Sequence, residues 1–278
     1  MPLRQKSRGR AGTFEIMTST LTILGSGTST GVPVITCPCA VCHSKHPRNK
    51  RLRASAWLQT QGRSILIDTS TDLRQQALKH RIPRVDAVLM THPHADHIMG
   101  LDELRAWNFS QKGRIPIYGN SWTEQELQQK FEYIFKPKPV EGGGIPLLDL
   151  HRFDAQAEKL EVCGLEFVPI SLQHGSQECV AFRHQGLAYV TDCNVIPQTS
   201  LDRLQGLDVL VLDCLRIKPH GTHFHLEKAL ETVEQLKPRR TWLTHLGHEL
   251  DYLEWKKKLP KGVAFAYDGL KITVSDPT

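Results

Sequence analysis

Thr91-His92-Pro93-His94-Ala95-Asp96-His97 directly follows the apolar run Val85-Asp86-Ala87-Val88-Leu89-Met90. Three imidazoles and a carboxylate therefore fall within six residues at the end of a predicted strand. While the backbone stays extended, His92 and His94 point the same way, because side chains alternate along a strand. Asp96 and His97 then emerge from the turn on a neighbouring side. Nitrogen and oxygen donors of this kind suit Zn2+, Mn2+ or Fe2+. One histidine in a loop carries no such implication; four donors at a strand end do.

Outward from this segment, short β-branched apolar runs recur towards both ends. Leu21-Thr22-Ile23-Leu24 closes on Gly25-Ser26-Gly27, and the runs 56–60 and 64–67 flank Gln61-Gly62-Arg63, a hairpin signal. Further strands are expected at 115–118, 160–162, 165–170, 180–183, 188–190, 209–212, 241–243 and 271–274. Helices are expected over 72–79, over 124–135 and from Leu226. There Leu226, Ala229, Leu230, Val233 and Leu236 share one face ahead of Pro238. Strands with helices between them indicate a layered α/β architecture. Pro137-Lys138-Pro139 and Gly142-Gly143-Gly144 mark a surface loop. No internal repeat is visible, so a single domain over residues 17–278 is expected.

The net charge of +6 is concentrated at the start of the chain: Arg4, Lys6, Arg8 and Arg10 all precede Met17. From Met17 onward 31 basic residues face 28 acidic ones, and no basic face interleaved with aromatics stands out. A nucleic acid is thus not the expected partner. Residues 1–16 read as a disordered basic tail, with Met17 an alternative start. No apolar stretch approaches the roughly 20 residues that span a bilayer, and the tail lacks a signal peptide's apolar segment. A cytoplasmic location is expected. Of seven cysteines, Cys37, Cys39 and Cys42 lie within six residues. In a reducing compartment such spacing indicates a metal site. Three thiolates fill three corners of a tetrahedral zinc. His43, His46 and Cys193 are nearby candidates for the fourth. The default reading of Cys163, Cys179, Cys193 and Cys214 is small buried hydrophobes.

The run from His92 to His97 is an ungapped H-x-H-x-D-H, and with it the sequence resembles the metallo-β-lactamase superfamily. The resemblance implies a four-layer αββα sandwich of two mixed β-sheets flanked by helices. It implies a dinuclear site in which His92, His94 and His174 hold one ion, Asp96, His97 and His245 hold the other, and Asp192 bridges them. His174, Asp192 and His245 each follow an apolar strand-like run, as this requires. Asp68, after Ile65-Leu66-Ile67, reads either as an acceptor that orients a ligand from behind or as a helix N-cap.

Within the superfamily the chain is most similar to the phosphoribosyl 1,2-cyclic phosphate phosphodiesterase group (PhnP-like). The residues that carry this likeness are Gly25-Ser26-Gly27-Thr28-Ser29-Thr30-Gly31-Val32-Pro33, the cysteine trio, Gly100-Leu101 and Thr244-His245. By this resemblance His248 closes a structural zinc with Cys37, Cys39 and Cys42, and His223 meets the phosphodiester. The implied enzyme is a metal-dependent phosphoric diester hydrolase, with two Mn2+ or Zn2+ ions and one structural Zn2+. Its substrate is a small phosphorylated sugar or nucleotide, foremost 5-phosphoribosyl 1,2-cyclic phosphate, and its assembly a homodimer. A metal-bridging hydroxide attacks phosphorus, since a metal lowers the pKa of bound water from about 15.7 to about 7. Arg105, Arg183 and Arg216 are candidates for a phosphate pocket.

Four other readings compete. A tRNA 3′-processing nuclease shares the metal core but usually carries a protruding arm and a basic surface. A cyclic-nucleotide phosphodiesterase differs only in its substrate. Redox chemistry at a single iron goes with altered second-site ligands. A non-enzymatic, metal-stabilised nucleotide-binding module goes with a lost ligand.

Overall fold

The computed structural model describes residues 18–136 and 144–275. The tail 1–16, and all of the 137–144 loop except Gly144, lie outside these residues. Among the described residues, runs of three to ten residues become fourteen strands. They are β1 (Thr18–Gly25), β2 (Ser55–Thr60), β3 (Arg63–Ile67), β4 (Ala87–Leu89), β5 (Ile115–Gly119), β6 (Leu148–Arg152) and β7 (Leu160–Val162). After these come β8 (Leu165–His174), β9 (Gln177–His184), β10 (Leu187–Val190), β11 (Val209–Asp213), β12 (Arg240–Thr244), β13 (Val263–Phe265) and β14 (Lys271–Ser275). They form two seven-stranded sheets, in the orders β14-β1-β2-β3-β4-β5-β6 and β13-β12-β11-β10-β9-β8-β7.

Side-chain alternation decides what each face touches. Leu21, Ile23, Leu58, Ile65 and Ile67 of the first sheet meet Phe167, Phe182, Tyr189, Val209 and Val211 of the second. Each such side chain contributes roughly 1.5–3 kcal/mol when fully buried. The other faces carry helices. Leu24, Leu66 and Val88 pack with Leu73 and Leu127, from helices Leu73–His80 and Ser121–Lys130. Leu172, Leu210 and Leu212 pack with Leu201, Ala229 and Leu236, from helices Gln198–Arg203 and Leu226–Leu236. The layers therefore run helix, sheet, sheet, helix: the expected αββα sandwich.

Several details depart from the sequence reading. The hairpin turn is the pair Gln61-Gly62, both at positive φ (48° and 72°), the twist that matches antiparallel strands. The expected helix over 124–135 starts earlier, at Ser121, where Asn120 Oδ1 accepts from the Thr123 N–H at 2.9 Å. It then breaks at Phe131 (φ −119°, ψ 43°), whose ring is drawn into the core, and resumes as Glu132–Phe135. Strands β6 and β13 were not expected, and a repeat that the sequence hides is present. Each sheet has three antiparallel junctions followed by three parallel ones, counted from β14 in the first sheet and from β7 in the second. The C-terminal ends of β3, β4, β10, β11 and β12 open on one edge of the sandwich, where such folds bind ligands.

Candidate metal centre

That edge collects the polar residues. Asp68 follows β3, His92 follows β4, Asp192 follows β10, Asp213 ends β11 and His245 follows β12. Asp68, Asp192 and His245 all have positive φ (62°, 56° and 58°), a conformation that costs a non-glycine residue about 1–3 kcal/mol and clusters at functional sites. His94 caps the short helix Ala95–Ile98, which presents Asp96 and His97. His174 ends β8.

Two groups of donors result. The ring nitrogens of His92, His94 and His174 form one, and Asp96, His97, Asp192 and His245 the other; within each, the donor atoms lie within 4.8 Å of one another. His94 Nδ1 is 2.9 Å from His92 Nε2 and 3.2 Å from His174 Nε2. In the second group Asp96 Oδ2 is 3.3 Å from His97 Nε2 and 3.5 Å from His245 Nε2. Asp192 Oδ2 lies between the groups, 3.7 Å from His92 Nε2, 3.4 Å from His97 Nε2 and 3.2 Å from His245 Nε2.

The outer nitrogens are held from behind. Asp68 Oδ2 is 2.7 Å from His97 Nδ1 and accepts from Thr91 Oγ1 at 2.8 Å, while Asp68 Oδ1 accepts from the Thr91 N–H. Asp68 thus faces Thr91 and His97, and the N-cap position of the next helix belongs to Asp72. His174 Nδ1 donates to the Thr222 carbonyl at 2.8 Å. His223 Nδ1 donates to Asp213 Oδ2 at 3.1 Å, and its ring stacks on His245 at 4.7 Å. Asp213 was not singled out in the sequence. It also accepts from the Cys193 and Phe224 N–H groups and sits 3.7 Å from His245 Nδ1. Val209-Leu210-Val211-Leu212-Asp213 repeats the strand-then-acid pattern that marked Asp68 and Asp192, so the signal was available.

The donor chemistry fits divalent ions. Asp96 Oδ2, His97 Nε2 and His245 Nε2 are buried without a hydrogen-bond partner, and buried polar atoms rarely stay unpaired. Burial opposes charge on His97, yet Asp192, Asp96 and Asp68 around it raise its pKa well above the ordinary value. For His92, burial and the neighbouring imidazoles push the pKa well below that value, leaving a neutral ring. His223 is raised to about 9: burial works against the charged form, but Asp213 outweighs it. The first group, His92, His94 and His174, is held towards the neutral form that metal binding demands, while carboxylates gather around the second.

A second cluster lies nearby. Cys37, Cys39 and Cys42 Sγ are 3.2, 3.5 and 3.7 Å from His248 Nδ1. The Cys42 N–H lowers the Cys39 pKa to about 6, whereas burial raises that of Cys42 to about 11. Of the other candidates, His46 and Cys193 are engaged elsewhere. His46 accepts from the Arg48 N–H and stacks on Tyr252, and Cys193 is buried beside Asp213. Of the three arginines, Arg183 donates to the carbonyls of Gln185, Arg203 and Gln205, and Arg216 to those of Lys218 and Pro219. Arg105 begins the helix Arg105–Gln111.

A beta-lactamase superfamily domain model matches residues 63–246. The chain belongs to that superfamily. It carries the fold of that superfamily. A solved diphosphatase of the PhnP family shares 43% identity and superposes with a TM-score of 0.86, over 93% of this chain and 98% of that one. An octanoyltransferase of Porphyromonas gingivalis is 34% identical over 257 residues, 91% of this chain but 51% of that protein. The chain thus spans about half the length of that curated relative. A ribonuclease Z of Halalkalibacterium halodurans is 27% identical over 216 residues, 75% of this chain and 58% of the other. Among the described residues of this superfamily member, no helix is long and apolar enough to cross a membrane.

Proposed function

We propose that residues 17–278 form a metal-dependent phosphoric diester hydrolase that opens a small cyclic phosphodiester, foremost 5-phosphoribosyl 1,2-cyclic phosphate. The observation that carries this reading is a pair of adjacent donor groups, His92/His94/His174 and Asp96/His97/His245, with Asp192 between them and His223 alongside. Divalent Mn2+ or Zn2+ held there would acidify a water and neutralise charge on the phosphoryl oxygens, the main demands of phosphoryl transfer.

The residues do the rest. Asp68 and the Thr222 carbonyl fix the rings of His97 and His174. Asp213 engages Nδ1 of His223 and leaves Nε2 as the donor for the substrate. When the oxygen of water bonds to phosphorus, the ring P–O bond opens and the departing alkoxide takes its proton from His223. The proton given up by the water reprotonates His223 through solvent. General acid help of this kind contributes about 10^2–10^4 in rate. In the same reading Cys37, Cys39, Cys42 and His248 hold a structural Zn2+, and the protein is a cytoplasmic homodimer.

A second reading is supported by the 43% identity to a diphosphatase: the bond cleaved is a phosphoanhydride rather than a phosphodiester. Both attacks are at phosphorus, so the substrate decides. The test is a panel on Mn2+- and Zn2+-loaded protein of ribosyl cyclic phosphate, cyclic nucleotides, nucleoside diphosphates and pre-tRNA. Ring opening of the ribosyl cyclic phosphate is expected, with His223→Ala losing most of it. Diphosphate cleavage alone selects the second reading, and pre-tRNA cleavage selects the nuclease. Absence of phosphodiester cleavage under either metal rejects the proposal.

A further inference from the structure

The short run His245-Leu246-Gly247-His248 joins both clusters, since His245 belongs to the second donor group and His248 faces the three cysteines. Arg51 clasps this run from below. It is 2% exposed, and arginines are almost never buried unless paired. Its Nη1 donates to the Gly247 carbonyl at 2.6 Å. Its Nη2 donates to the Leu250 carbonyl at 2.5 Å and to Asn49 Oδ1 at 3.3 Å, and Nε donates to the Arg48 carbonyl at 3.4 Å. Asn49, itself fully buried, accepts from the Tyr252 N–H and donates to Asp251. These partners are neutral oxygens, although a desolvated cation calls for a counter-charge.

Asp268 and Asp251 supply most of one, and Cys42 of the cysteine cluster adds to it. Arg51 pairs with Val32 through both backbone bonds (2.7 and 2.9 Å), and Val32 packs with Val41 and Cys42. Lys50 Nζ donates to the Cys42 carbonyl. Three thiolates around one divalent ion leave one net negative charge. Burial lowers the Arg51 pKa to about 10, which still leaves the group charged at neutral pH.

We propose that Arg51 is a positioning residue that fixes the His245–His248 run for the second catalytic ion, with the tris-thiolate metal cluster adding to Asp251 and Asp268 as its counter-charge. The proposal rests on reading His245 as a metal ligand. An Arg51→Met variant loses both the clamp and the charge. An Arg51→Lys variant keeps the charge, but one ammonium cannot reproduce the planar fork that reaches two carbonyls.

The test is cobalt loading of the full chain. Thiolate-to-cobalt absorption reports the cysteine cluster, and equilibrium dialysis counts the remaining ions. In Arg51→Met the affinity for the second catalytic ion is expected to fall about 10–100-fold, the effect typical of groups that orient metal ligands. The cluster's affinity for cobalt is expected to fall with it. In Arg51→Lys the cluster should recover wild-type affinity while the second catalytic ion stays weakened. Wild-type affinities at both sites in Arg51→Met overturn the proposal, as does a lysine variant whose cluster binds no better than that of the methionine variant. If Arg51→Met does not fold, Arg51→Lys decides by itself, and wild-type affinity for the second ion there overturns the proposal. Wild-type protein that takes up no ion beyond the cysteine cluster removes the reading of the catalytic site, and this inference with it.

Discussion

Asp213 has four partners of different kinds: the imidazoles of His223 and His245 and the N–H groups of Cys193 and Phe224. An Asp213→Asn variant keeps the shape but removes the charge that holds His223 protonated. Turnover is expected to fall about 10–100-fold, with metal content retained. Steady-state kinetics beside metal analysis checks this, and unchanged turnover would contradict the role. His80 offers a separate pH effect. Burial, Lys79 and Lys271 lower its pKa, and its buried Nε2 has no partner. The fold therefore prefers the neutral ring. As pH falls through the ordinary value of about 6.5, the unfolded chain takes up the proton first, so stability is lost from there down to the lower folded value. Thermal melts of metal-loaded protein between about pH 5.5 and 7.5 should show a shallower acid slope for His80→Gln than for wild type; parallel slopes would exclude His80 as a source.

Strand ends, more than strand interiors, distinguish this molecule. Asp68 and Asp192 occupy the same place in the two sheets, after the last antiparallel strand and before the parallel ones, and both adopt positive φ. One became a support for His97 and the other faces both donor groups, a difference set by what each sheet's neighbours present. The loop behind the donors is tightly backed. The N–H of Gly100 donates to the Thr69 carbonyl, and a Cβ on Gly100 would sit 2.2 Å from the Ser70 carbonyl oxygen and 2.8 Å from Leu73 Cβ. The Thr69 N–H in turn donates to the His97 carbonyl. Gly100→Ala is expected to cost about 1–3 kcal/mol through overpacking and to weaken metal retention by shifting His97. Denaturant unfolding with and without metal would show it, and equal stability with equal metal content would refute it.

With ions at both proposed sites, metal binding and folding are linked. Ions that bind only the native state stabilise it by about 2.7 kcal/mol per site at a hundred times Kd. Chelation is therefore expected to lower the melting temperature, more so for wild type than for Cys39→Ser. That variant should carry one metal equivalent fewer, and identical zinc content in the two proteins would remove the structural site. The reason lies in the connections. Residues 26–53 reach the catalytic edge through the Leu246 N–H to Ser26 carbonyl bond, through Arg51 and through the cysteine trio. Loosening one of these frees the others.

Local patterns set the elements and the donor types. Short apolar β-branched runs marked twelve of the fourteen strands among the described residues, missing Leu148–Arg152 and Val263–Phe265. H-x-H-x-D-H marked four donors without any fold, because those side chains lie within one turn and one short helix. Tertiary structure decided what depends on residues far apart in the chain. It put Asp213 behind His223 and His245, broke the expected helix at Phe131 to bury its ring, and placed His248 rather than His46 against the thiolates. It also gave Arg51 two carbonyls that lie nearly two hundred positions along the chain. Periodicity records which face a residue turns to the core; it does not record which remote group waits there, and that is settled only when the two sheets close on each other.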